Sequence, residues 1–165
     1  MKKALVSILL VITLCACSGG EIKPCLGGIS FTAEMVYYNE SYSFEGELSV
    51  EGELTAVMTA PEELKDLKFT LNAEGTVVDY KGITYTPTAG TMPFSKTMES
   101  FYAPVKEVLQ GGLTADSKGI LTLGEGVEAA TFTLSPTGLP QKLEIPDKRF
   151  CVTFYNVSLI EDVND

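Results

Sequence analysis

Among its 165 residues the chain has no histidine and no tryptophan. Without His, neither a His-based catalytic triad nor a His-ligated zinc or iron site can be assembled within one chain. Basic residues are scarce too, with 12 Lys and Arg against 22 Asp and Glu for a formal net charge of -10. Nucleic acid, which is gripped through Lys and Arg on its phosphates, is therefore not expected as a partner. No apolar run reaches the roughly 20 residues of a membrane-spanning helix. Catalytic and ion-binding motifs are missing as well: there is no Gly-x-Ser-x-Gly elbow, no Ser-x-x-Lys, no Walker loop and no Asp-x-Asp-x-Asp-Gly. Isolated Ser95, Lys96 and Ser135 read as surface groups, so no catalytic residue, metal or cofactor is expected. With hydrophobic residues at 45% and charged residues at 21%, the composition is that of a globular chain.

The first twenty residues carry the clearest signal. Lys2 and Lys3 precede an apolar run, Ala4 to Leu14, broken only by Ser7 and Thr13. That is the layout of an export signal and too short to span a bilayer. It closes on Leu14-Cys15-Ala16-Cys17, which resembles the lipobox of bacterial lipoproteins, with Cys15 a less usual residue at its position. The resemblance implies a diacylglyceryl group on the Cys17 sulfur, cleavage after Ala16, and Ser18-Gly19-Gly20 as a flexible start to a tether. Two acyl chains hold a protein stably on a bilayer, at about 0.8 kcal/mol for each buried methylene. An ordinary secretory signal followed by a free cysteine is the alternative. Loss of Lys2 and Lys3 leaves 10 basic against 22 acidic residues, a net of -12 on the mature chain. The expected location is the extracytoplasmic face of a bacterial membrane, and Ser18 is not the Asp that resembles a retention signal.

With Cys15 in the leader and Cys17 alkylated, Cys25 and Cys151 are left in an export compartment that permits disulfides. They form one candidate bridge, which would contribute about 4 to 5 kcal/mol by closing a loop of more than about a hundred residues. Two separate thiols are the other possibility.

Alternation of apolar and polar residues then predicts a succession of hairpins. Phe31, Ala33, Met35 and Tyr37 share one face of a strand from Ile29 to Tyr38. After a turn at Asn39-Glu40, Tyr42, Phe44, Gly46, Leu48 and Val50 continue that inner face, with Glu45, Glu47 and Ser49 outward. A three-residue loop Glu51-Gly52-Glu53 would then place Leu54, Ala56, Met58 and Ala60 inward. Pro61 ends that strand; Leu67, Phe69 and Leu71 resume the alternation, followed by Val78 and Tyr80 and, across Lys81-Gly82, Ile83 and Tyr85.

From Pro87 to Pro93 a loop is expected, and from Ser95 to Gln110 the spacing becomes helical, with Met98, Phe101, Tyr102, Val105, Val108 and Leu109 on one face. Pro104 predicts a kinked helix or two short ones, ending at Gly111-Gly112. Strands return at Ile120 to Leu123, Glu128 to Leu134, Lys142 to Ile145 and Arg149 to Leu159. Phe150, Val152 and Phe154 against Val157 and Leu159 make the last strand apolar on both parities, which predicts cover on both sides. The organisation expected is thus a leader (1–16), a lipidated cysteine and tether (17–28), one domain (29–160, with a helical insertion at about 95–110) and a frayed tail (161–165). The fold class is mainly β with some helix (α+β): about ten antiparallel strands curled into one sheet, whose apolar concave face is plugged by the helical insertion.

The lipobox, the long antiparallel meander, the Ala60-Pro61-Glu62-Glu63-Leu64-Lys65 step into Phe69-Thr70-Leu71, the Tyr80-Lys81-Gly82-Ile83-Thr84-Tyr85 hairpin and the closing Gly138-Leu139-Pro140 and Phe154-Tyr155-Asn156-Val157 together resemble the LolA-like superfamily. That superfamily includes lipoprotein carriers and lipid-binding lipoproteins, and the resemblance implies a half-barrel with helices across its mouth. The carriers have N-terminal helices before the sheet, whereas almost nothing precedes Ile29, and the soluble carriers lack an anchor. The match is therefore nearer to anchored relatives than to a shuttle.

In such a half-barrel the concavity would be lined by Phe31, Met35, Tyr37, Phe44, Leu48, Met58, Phe69, Leu71, Phe132 and Leu134 and closed by Met98, Phe101 and Tyr102. Flexible Met and broad aromatic faces suit an acyl chain, whose burial is favourable by about 25 cal/mol per Å². Three partners are thus expected: the membrane through the lipid, a lipid or other hydrophobic ligand in the concavity, and, as the alternative, an envelope protein met by the acidic hairpin of Glu45, Glu47, Glu51 and Glu53. In that alternative the same apolar residues are simply a filled core.

Overall fold

The computed structural model describes residues 20–25, 27–87, 93–126 and 129–160. Cys17 and the lipobox, the loop residues 88–92, and the tail from residue 161 lie outside them. Six strands come first: β1 (Ile29–Tyr37), β2 (Glu40–Leu48), β3 (Leu54–Ala60), β4 (Lys68–Asn72), β5 (Gly75–Tyr80) and β6 (Ile83–Tyr85). Helix α1 (Pro93–Gln110) follows, and then β7 (Ile120–Leu123), β8 (Ala130–Leu134), β9 (Pro140–Ile145) and β10 (Phe150–Leu159). The spatial order β6-β5-β4-β3-β2-β1-β10-β9-β8-β7 is one open antiparallel sheet. Its two chain-terminal strands pair at the centre: Ala33 lies opposite Phe154 and Met35 opposite Val152.

This order explains why the helix lies where it does. The chain steps outward hairpin by hairpin from β1 to one edge at β6, and must then reach the other edge at β7. The connection crosses the concave, apolar face, and the periodicity of α1 supplies the matching stripe of Met98, Phe101, Val105, Val108 and Leu109. These side chains join Ile29, Phe31, Phe44, Leu48, Leu54, Phe69, Phe132 and Leu143 in a single core. Inner and outer residues alternate along β1, β3 and β8, as one buried face demands.

Three local expectations are corrected. The first turn is Tyr38-Asn39, one residue earlier than expected, with φ of 50° and 74° and Tyr37 opposite Glu40. A two-residue hairpin turn of this hand needs positive φ at both positions, and Asn39 tolerates it at the second. The next loop has the expected three residues but they are Val50-Glu51-Gly52: the Ser49 amide donates to the Glu53 carbonyl (2.8 Å) and Gly52 takes φ +87°. The left-handed residue of such a loop is its third, so glycine sets the frame, and Val50 is 52% exposed rather than inward.

Of the two arrangements expected at Pro104, the structure has the single helix, with the proline inside it. A proline there removes one backbone bond at a cost of about 3 kcal/mol, and the five buried side chains of the stripe, each contributing about 1.5–3 kcal/mol, outweigh it. Finally, β10 is not covered on both sides. Its pairing with β1 shifts between Ser30 and Thr32, and Asn156 has φ +50°. The bulge moves the inward parity from Phe154 to Val157, so the two apolar parities are successive stretches of one inner face.

Candidate functional site

The concavity is built by β1–β5 and β7–β10 as wall and α1 as its cover. Every wall residue expected from the sequence is on the inner face. Phe31, Met35, Phe44, Leu48, Met58, Phe69, Leu71, Phe132 and Leu134 are 0–4% exposed, as are Met98 and Phe101 from the helix, while Tyr37 and Tyr102 are half-buried at the rim. The aromatic rings interlock: Phe101 lies 5.3 Å from Phe44, 5.9 Å from Phe154 and 6.2 Å from Phe31, mostly edge-on. Phe31 can reach inward because Gly46 faces it across the β1–β2 pair, where a β-carbon would stand 2.3 Å from its ring. Helix and wall thus fill one another.

Three polar contacts help to fasten α1 at the rim. The Tyr102 hydroxyl donates to the Gly52 carbonyl (2.5 Å), the Gln110 amide to the Val50 carbonyl (3.1 Å), and the Thr76 hydroxyl to the Glu99 carboxylate (3.1 Å). All three partners belong to the β2–β5 side. Sequence reasoning placed Tyr102 in the lid but missed the other two contacts. The signal was present, since positions 99, 102 and 110 fall within about 80° of one another at 3.6 residues per turn. Another flank of the helix borders a cleft of about 390 Å³, where Ala103, Leu123 and Ile145 mix with the charged Glu107, Glu125 and Lys148.

Tyr42 and Phe94 close the end of the concavity near the helix start, their rings 4.8 Å apart. The Tyr42 hydroxyl is pushed up to about 12, first by burial and then by its hydrogen bond to Glu40. Among the described residues ahead of β1, 22 to 25 are held against the body. Ile22 pairs with Ala115 through two backbone bonds (3.2 and 2.8 Å), the Cys25 amide donates to the Gly138 carbonyl (3.0 Å), and Pro24 is buried.

Cys25 and Cys151 are both free, so the candidate bridge is not formed. The Cys25 thiol donates to the Thr137 carbonyl (3.2 Å) beside the β8–β9 turn, whereas Cys151 stands on β10 opposite Glu144. Those places differ by about five residues of β9, roughly 17 Å at strand spacing, which a disulfide cannot span. Burial pushes the Cys151 thiol up. On the convex face Glu45 and Glu47 project beside Glu34, while Glu51 and Glu53 sit in the β2–β3 loop, where Glu53 accepts from Asn72 (3.3 Å). Among the described residues no group of acidic or thiol side chains could hold a metal, and no helix is long and apolar enough to cross a membrane.

No family model matches the chain, and no curated protein matches it. Among solved structures it is similar to a LolA superfamily protein from Nitrosomonas europaea, at 6% identity and a TM-score of 0.38, over 85% of this chain and 89% of that one. The open ten-stranded architecture stands on this chain's own strand pairing.

Proposed function

We propose that the chain is a non-catalytic, lipid-anchored protein of the extracytoplasmic face, which takes a hydrophobic ligand such as an acyl chain into its half-barrel when α1 moves outward. The observation that carries this reading is that a wall of flexible Met and broad Phe side chains is covered, among the described elements, by one amphipathic helix. Met98 and Phe101 occupy the place a ligand would take, so binding exchanges one apolar contact surface for another. The cleft beside Ala103 and Leu123, along the helix, is the approach we assign to the ligand.

The test is mass spectrometry of unlipidated protein beginning at Gly19, gently purified and examined both natively and after organic extraction. A near one-to-one acyl ligand supports the reading; only bare polypeptide, before and after incubation with lipid, sinks it. The anchor is tested separately by metabolic labelling with a fatty acid, where Cys17→Ser must abolish incorporation.

A second reading is favoured by the packing itself. Wall and helix side chains that are 0–4% exposed are what a permanently filled core requires. The protein would then act through its outer surface, and the acidic Glu45, Glu47, Glu51 and Glu53 hairpin would meet a basic envelope partner. Lysine substitutions across those four that leave co-purifying partners unchanged would remove that idea.

A further inference from the structure

The two edges of the sheet are treated differently. At β7 the outward-facing groups of Ile120 are already taken: its amide donates to the Asp116 carboxylate (2.8 Å) and its carbonyl accepts from the Asp116 amide (3.0 Å). The same carboxylate accepts from the Lys118 amide (2.9 Å), and these bonds hold the Asp116 carboxyl below the usual range. A charged turn capping a short edge strand is a common way of preventing strand addition.

The β6 edge has no such cap among the described residues. Tyr80 and Ile83 close a two-residue turn at Lys81-Gly82, whose φ values are 52° and 81°. In that hairpin the pairs Tyr80–Ile83 and Val78–Tyr85 are the hydrogen-bonded ones, so the amide and carbonyl of Thr84 point away from β5. From Gly82 to Ser95 the sequence has no charged residue, in a chain that is 21% charged. Ile83 is 73% exposed, Tyr85 49% and Tyr80 38%, all on one face of the hairpin.

We propose that this edge is an interface between two copies of the chain, β6 pairing antiparallel with β6 of the second copy about a two-fold axis at Thr84. The register is self-complementary. Thr84 meets Thr84 of the second copy in a hydrogen-bonded pair, with two reciprocal N–H···O bonds. On the apolar face Ile83 then lies opposite Tyr85 of the second copy, twice by symmetry, which is a favourable aliphatic–aromatic cross-strand pair. The net charge of the whole chain opposes any such contact, but its excess lies elsewhere: Asp79 and Lys81 are the nearest charges and have opposite sign. Head-to-tail pairing of β6 on β7 is disfavoured by the Asp116 cap, so the contact closes at two copies and does not run on into a filament. The proposal is independent of whether the concavity holds a ligand.

Sedimentation equilibrium and amide hydrogen exchange on the chain beginning at Gly19 test it. Dimer formation that rises with concentration is expected, together with slowed exchange of the Thr84 amide as dimer accumulates. Thr84→Pro removes the outward donor together with the hydroxyl bond to Asp79 (3.1 Å) and leaves the β5–β6 backbone bonds in place. Unlike Thr84→Val, which loses the hydroxyl alone and should leave dimerisation unchanged, it should weaken dimerisation about thirtyfold, as loss of two backbone hydrogen bonds would. Ile83→Lys, placing like charges across the axis, should do the same at an unchanged melting temperature and serves if the proline variant does not fold. A wild-type chain that stays monomeric up to its solubility limit overturns the proposal. So does a dimer that survives both Thr84→Pro and Ile83→Lys.

Discussion

Phe101→Ala is the sharpest probe of how the helix is seated. The side chain is fully buried and lies against Phe31, Phe44 and Phe154, so its removal deletes contacts to both halves of the sheet. Truncating a buried Phe costs about 3–5 kcal/mol, comprising the lost transfer free energy and about 24 cal/mol for each Å³ left unfilled. In a domain of this size each kcal/mol moves the melting temperature by about 2–4 °C, so a drop of roughly 6–20 °C is expected. Calorimetry and urea unfolding of the Gly19-start protein measure it, with an unchanged denaturant slope confirming that compactness is kept. The space left is apolar on every side, so it should stay dry and accept a small apolar molecule. Benzene should therefore raise the melting temperature of the variant and leave the wild type where it is. A loss below about 1 kcal/mol, the scale of a surface substitution, would mean that α1 is not wedged into the concavity and that the packing argument fails.

Tyr102→Phe should cost about 1 kcal/mol by releasing the Gly52 carbonyl at the rim, and hydrogen exchange should become faster in α1 than in β1 and β10. Gly138→Ala places a β-carbon 2.1 Å from the Lys23 carbonyl at φ +83°, so the N-terminal strap must lift; the Ile22 and Cys25 amides, bonded to Ala115 and Gly138, should then exchange markedly faster than in the wild type. Because the folded value for Tyr42 lies above its ordinary 10, its protonated form belongs to the native state. Stability is therefore complete below pH 10 and declines as pH rises toward about 12. Tyr42→Phe should flatten that decline in melts across this range, and an unaltered profile would assign the alkaline loss to other groups.

Most of the architecture was legible because one face of the sheet is buried. Period-two alternation placed β3, β6 and β7 at their observed bounds and gave the inner set from Phe31 to Leu134 without reference to tertiary structure. The errors share a cause, which is backbone geometry that hydrophobicity does not report. Gly52 decided the β2–β3 frame through its left-handed φ, and Val50, although apolar, was left outside. The Asn156 bulge changed the parity of β10, and alternation read across it mimicked a strand buried on both faces. At Pro104 local propensity left one helix or two open, and the apolar stripe continuing on both sides of it goes with the single helix observed. Within the candidate site the apolar wall was visible, but the fastening of α1 was not. Tyr102, Glu99 and Gln110 bond to a loop carbonyl, a neighbouring strand's threonine and a second loop carbonyl, partners that only the closed fold brings near.

The pinned strap also sets a length. Ile22 is clamped at Ala115, and four residues, five Cα-to-Cα steps, separate it from Cys17. That stretch can reach at most about 17 Å when fully extended, and this would be the length of the leash under the lipid anchor proposed at Cys17. A body on so short a leash cannot sample a wide hemisphere above the bilayer. It would ride with the Ala115 linker and the turn around Gly138 toward the headgroups, and its freedom would be mainly rotation about the membrane normal and diffusion in the plane.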